Sequence, residues 1–68
     1  MNTVEAADTY YTLLAVRADG VAPVVDLLLA DGVRSPHARA VDLLKEHASC
    51  ETVEVWRGGV LVERFGRA

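Results

Sequence analysis

The side chains best suited to chemistry lie close together at one point, in the run His47-Ala48-Ser49-Cys50. An imidazole and a thiol at this spacing could begin a zinc site, which asks for four nitrogen or sulfur donors. The chain offers only one further histidine, His37, and no second cysteine. His37 sits near the other end of the same expected helix, ~15 Å away at the helical rise per residue. A metal site within one chain is therefore not expected, and no metal ligands are assigned. As a nucleophile, Cys50 would need a cationic or helix N-terminal setting to lower its pKa. It follows a helix C-terminus and precedes Glu51, which favours the thiol. The residue reads instead as a small apolar side chain entering a strand.

Other constellations are weaker still. The carboxylates fall mostly on a solvated helix arc or at turns, and a chain this thin has little room for a water-excluding pocket. Gly58-Gly59 and Gly66 lack the strand, glycine loop and Lys-Ser/Thr order of a phosphate loop, and read as turn residues. Arg57, Arg64 and Arg67 cluster near Trp56 and Phe65, a composition that could stack and neutralise a single-stranded nucleic acid. Glu51, Glu54 and Glu63 dilute that charge. The expectation is a chain with no catalytic residues and no cofactor, and not an enzyme.

Composition bounds the rest. The chain has 68 residues, 51% apolar and 25% charged, with ten acidic residues against seven basic and a net charge of −3. That is a folded domain near the size where one core barely suffices, so a second copy or a partner often completes its stability. Net negative charge opposes binding to nucleic acid and to anionic lipid, so neither is an expected partner. A lone cysteine rules out an internal disulfide. The opening MNTVEAADT lacks the basic start and apolar run of a signal peptide, and runs such as LLLA are too short to span a bilayer. The expected location is cytoplasmic.

The elements that would position these residues are legible to different degrees. Residues 1–9 read as a loose lead-in or a helical turn within a single domain of residues 1–68. Residues 10–29 admit two readings. As a hairpin, Tyr10 to Ala18 and Val21 to Leu29 flank Asp19-Gly20, with Leu14 facing Val25 and Thr12 facing Leu27. Pro23 then pushes the second strand to an edge or a bulge. As helices, Val4, Ala7, Tyr11, Leu14 and Ala18 recur at three-and-four spacing, and Pro23 opens a second helix that Gly32 closes.

Ser35-Pro36 announces the main helix as an N-cap followed by proline at its first position, and the helix is expected over residues 35–48. Its apolar arc holds Ala40, Val41, Leu43, Leu44 and Ala48, against Arg39, Asp42, Lys45 and Glu46 on the other side. The firmest element is the hairpin of residues 51–65. A two-residue Gly58-Gly59 loop pairs Trp56 with Leu61 but sets Glu54 against Glu63, where like charges repel. A three-residue loop pairs Glu54 with Arg64 and Trp56 with Val62, and both registers remain open. In either, Val53 and Val55 share one face and Trp56 takes the other.

The run HASCETVEVWRGGVLVERFG resembles the C-terminal end of small, mostly uncharacterised bacterial proteins that carry a Glu-Val/Leu-Trp-x-Gly turn after an Ala-rich helix. Here the pattern falls on Glu54, Val55, Trp56 and Gly58. The resemblance implies an α+β domain of ββαββ type and favours the hairpin for residues 10–29; three helices followed by the C-terminal hairpin is the alternative. It implies no activity.

One amphipathic helix can cover only one side of a sheet, and Val53 and Val55 are the natural candidates for that side. Trp56 then lies on the outer side with Leu61 or Val62, rimmed by Glu54 and Arg64, the make-up of an interface hot spot. The competing reading has Trp56 covered by its own cross-strand neighbours and the N-terminus. The functional expectation is a small non-catalytic protein-interaction module that self-associates, as a homodimer or larger homo-oligomer, through Trp56, Leu61, Val62, Glu54 and Arg64. The alternative is an accessory subunit or small protein inhibitor bound to a larger protein, with a metal- or thiol-dependent enzyme as the remote third.

Overall fold

The computed structural model describes residues 9–67. The lead-in expected for residues 1–9 falls outside them except for Thr9, as do Val4 and Ala7 of the helical reading. The described chain is ββαββ: β1 (Tyr10–Arg17), β2 (Val24–Leu29), α1 (Pro36–Glu46), β3 (Cys50–Arg57) and β4 (Val60–Gly66). The strands form one antiparallel sheet in the order β2-β1-β3-β4, so β1 and β3 are central and β2 and β4 are edges. This is the expected α+β architecture, and the helical alternative for residues 10–29 does not hold.

The first hairpin adopts the register that a turn at Asp19-Gly20 predicts, with Thr12 opposite Leu27 and Leu14 opposite Val25. Its strands are shorter at the turn end than expected. Residues 21–23 leave the ladder, and Arg17 and Val21 are joined by a single backbone bond of 2.8 Å. Pro23 stands immediately before β2, where its missing N–H costs no ladder bond, and of the edge and the bulge expected for this strand the edge is found. Asp19 shapes the turn by accepting the Val21 N–H at Oδ1, 3.0 Å away. That bond, helped by the nearby Arg17 guanidinium, lowers the Asp19 pKa below the ordinary carboxylate value.

The second hairpin combines both registers considered for it. Near the turn Arg57 faces Val60 and Trp56 faces Leu61; further along, Glu54 faces Arg64 and Val53 faces Phe65. The register shifts by one residue beside Val55 and Trp56, leaving Val62 as the extra residue of a β-bulge. Each half of the hairpin has its own cause. Gly58 (φ 59°) and Gly59 (φ 80°) both lie in the left-handed region, as a tight two-residue turn requires. Beyond the bulge, Arg64 meets Glu54 and Phe65 turns toward the helix, whereas an unshifted ladder would oppose Glu54 and Glu63.

The helix is shorter than expected, ending at Glu46 with His47 as C-cap, so Ala48 lies outside it. The Ser35 Oγ accepts the N–H groups of His37 and Ala38, so the serine caps the helix as its position predicts. Its buried side consists of Ala40, Leu43 and Leu44, while Val41, expected in the apolar arc, is exposed. These three residues close over Leu13 and Ala15 of β1, Leu28 of β2, and Cys50, Val53 and Val55 of β3. Each large side chain fully buried in this way contributes about 1.5–3 kcal/mol.

The C-terminal end of the described chain fastens the helix end. Arg67 donates from Nε to the Cys50 carbonyl (2.9 Å) and from Nη2 to the carbonyls of Leu44 and His47. These include helix-end acceptors that have no partner within the helix, and a guanidinium also suits the negative end of the helix dipole.

Two outcomes are expected. Arg67→Ala should lower stability to urea by about 1–2 kcal/mol, with Arg67→Lys recovering part of the loss, because several charge-assisted bonds vanish together. Carbon-13 titration should place the Asp19 carboxyl below the value of a free aspartate. Its contribution to stability is complete above the unfolded-state pKa and is lost as pH falls through the lower folded value, a loss that Asp19→Asn should remove from the acid limb of the stability profile.

Candidate interaction surface

The sheet has two apolar faces, and they alternate strictly along β1. Leu13 and Ala15 point to the helix, while Thr12, Leu14 and Val16 are half-buried on the opposite face. Following the register across the sheet, one row of the outer face reads Leu27, Thr12, Trp56, Leu61, and the next reads Val25, Leu14, Glu54, Arg64. Tyr10 and Leu29 form a further pair at one end, and Thr52 and Gly66 a pair at the other. No described element packs on this face, because α1 lies on the other one.

Four of the five residues expected at the interface come together here. Trp56 and Leu61 are directly opposite, and Glu54 and Arg64 are opposite one pair further on. The Trp56 indole N–H donates to Glu54 Oε1 (3.1 Å), and Arg64 Nη2 donates to Glu54 Oε2 (3.4 Å). Glu54 therefore fixes the orientation of both neighbours. Trp56 is half-buried, so its own cross-strand neighbours cover it in part and leave the rest of the side chain open on this face. Val62, the fifth residue, is exposed but belongs to the bulge and has no cross-strand partner in the ladder.

The barest part of the face lies elsewhere. Val25 and Leu27 on β2 are 64% and 61% exposed, and Leu29 is 47% exposed. Together with Tyr10 and Leu14 they extend the surface well beyond the Trp56 hairpin. The signal for them was the alternation Val25, Leu27, Leu29, which becomes a face only once the first hairpin and its register are established. Where β2 runs into the following loop, Leu27, Leu29, Tyr10, Val33, Asp31 and Arg34 help line an open hollow of about 250 Å³.

The other chemical candidates are placed in structural roles. Cys50 is completely buried at the start of β3, and its N–H donates to the His47 carbonyl at 3.0 Å. His37 meets the Phe65 ring edge to face with centroids 4.6 Å apart. Among the described residues no three of His, Cys, Asp or Glu are grouped to hold a metal ion. The three arginines that suggested a nucleic-acid platform diverge. Arg57 lies over the Tyr11 ring, Arg64 reaches Glu54, and Arg67 caps the helix end. No helix among the described residues is long and apolar enough to cross a membrane.

No family model, no curated protein and no solved structure matches this chain.

The burial of Cys50 has a direct consequence. In native protein its thiol should react with an aromatic disulfide reagent at least a hundredfold more slowly than in denaturant, since attack requires an exposed thiolate. Cys50→Ser should cost about 1–3 kcal/mol by placing a hydroxyl where an apolar group packs.

Proposed function

We propose that this protein is a small non-catalytic interaction module that self-associates by packing the Trp56 face of its sheet against the same face of a second copy. The observation that carries this reading is a sheet face apolar across all four strands and bare of described elements, with Val25, Leu27, Leu29, Tyr10 and Leu61 exposed on it. The largest apolar patch on a protein surface is often a functional one.

Two features favour a second copy as the occupant. The strand residues of the face carry one acid and one base, Glu54 and Arg64, side by side. A two-fold axis near them would set each Arg64 toward the other copy's Glu54, so the surface is self-complementary although the chain as a whole is acidic. The size also suits the role. Four strands ~4.8 Å apart and about six residues long present roughly 400 Å² in projection. Two such faces, with side-chain relief added, would remove on the order of 1,000 Å² from water, the lower end of specific interfaces.

Sedimentation or light scattering over a wide concentration range is the test. A concentration-dependent dimer is expected, and Trp56→Ala should weaken it at least tenfold, because a central tryptophan is a typical interface anchor. A strict monomer, or an oligomer indifferent to Trp56→Ala, would overturn the proposal.

A further inference from the structure

We propose a second contact between copies: β2 pairs edge to edge, antiparallel, with β2 of another copy, extending the sheet to eight strands. This goes beyond the face contact and stands on a different observation, the contrast between the two edges of the sheet.

Edge strands carry unpaired backbone groups and are usually defended by charge, by a bulge, or by a charged side chain turned inward. β4 has all three defences. It bulges at Val62, carries Glu63 and Arg64 in sequence, and directs Glu63 to the helix side opposite the buried Val55. β2 lacks the bulge and any charge turned to the outer face, and keeps only one inward charge. Val24-Val25-Asp26-Leu27-Leu28-Leu29 pairs with β1 in an unbroken register, without a bulge. Its single charge, Asp26, lies on the helix side and is neutralised by Arg39 Nε at 2.6 Å. Among the described residues no strand lies beyond β2, and α1 packs chiefly on β3 and β1, away from that edge.

A second copy suits this edge, and the side-chain pattern selects the register. Sheet continuity requires outer-face residues to meet outer-face residues, so odd positions of β2 must face odd positions of its partner. A two-fold axis at Asp26 would oppose two carboxylates, which disfavours that register. An axis at Leu27 instead sets Leu27 against Leu27 and Val25 against Leu29. It also places Asp26 opposite Leu28 and pairs residues 25–29, with Val24 facing Ala30 just beyond the strand. Pro23, lacking an N–H, then stands just beyond the paired segment at either end. All cross-strand contacts on the outer face of this junction would be aliphatic.

The experiment is isotope-filtered NMR on an equal mixture of labelled and unlabelled full-length chain, with sedimentation of three variants alongside. Intermolecular contacts between backbone protons near Val25 and those near Leu29 are expected. Leu27→Lys should raise the dissociation constant of this contact at least tenfold, since two ammonium groups would face one another, while Val60→Lys on the opposite edge should leave it unchanged. The β2 backbone contacts should survive Trp56→Ala, whatever that variant does to packing of the outer face. A chain that stays monomeric, or intermolecular backbone contacts along β4, would overturn the inference. So would association made only of outer-face side-chain contacts and abolished by Trp56→Ala, a result that would leave the face reading standing.

Discussion

Everything in this small domain follows from an imbalance: a sheet with two apolar faces and one helix to cover them. The helix is only Pro36–Glu46, and its buried side, Ala40, Leu43 and Leu44, is sufficient for one face. Leu13, Ala15, Val53 and Val55 beneath it are wholly removed from water. On the other side, residues of the same aliphatic and aromatic kinds remain in contact with solvent. Hydrophobic gain scales with apolar area buried, so the domain leaves part of its available stabilisation unused within the described chain. That remainder is the physical basis for reading the protein through its surface and not through a pocket or a reactive group.

The two ends of the sheet handle their exposed backbone differently, and the cause is local. In the C-terminal hairpin, the Gly58-Gly59 turn demands one register while the Glu54–Arg64 pair and the inward turn of Phe65 demand another. An extra residue at Val62 satisfies both, and the resulting bulge also interrupts the β4 edge. The N-terminal hairpin contains no such conflict. Its register runs without interruption to Leu29, and β2 is left regular and almost uncharged at its margin.

The groups that first suggested chemistry are occupied with holding the fold. Cys50 fills core space, His37 packs on Phe65, and the arginines act in three separate places. Arg67 shows how misleading proximity in sequence can be. Close to two other basic residues along the chain, it turns back to the end of the helix and bonds to carbonyls of Leu44, His47 and Cys50. Arg39 likewise ties the helix to β2 through Asp26, and this hydrogen bond holds the guanidinium firmly in its charged form.

The sequence by itself determined the elements whose signals are local: Ser35-Pro36 as the helix start, Gly58-Gly59 as a turn, and the alternation that separates Val53 and Val55 from Trp56. It also contained the register of the first hairpin, although a helical reading of the same residues remained open, because short apolar runs satisfy both periodicities. Only the tertiary structure decided which strands are central, and therefore that the Trp56 row continues through Thr12 to Leu27. The same holds for the early end of the helix, the bulge at Val62 and the inward path of Arg67. The reason is that alternation along a strand assigns each residue to one of two sides, whereas the breadth of a face, and what is left bare on it, depends on neighbours distant in the chain.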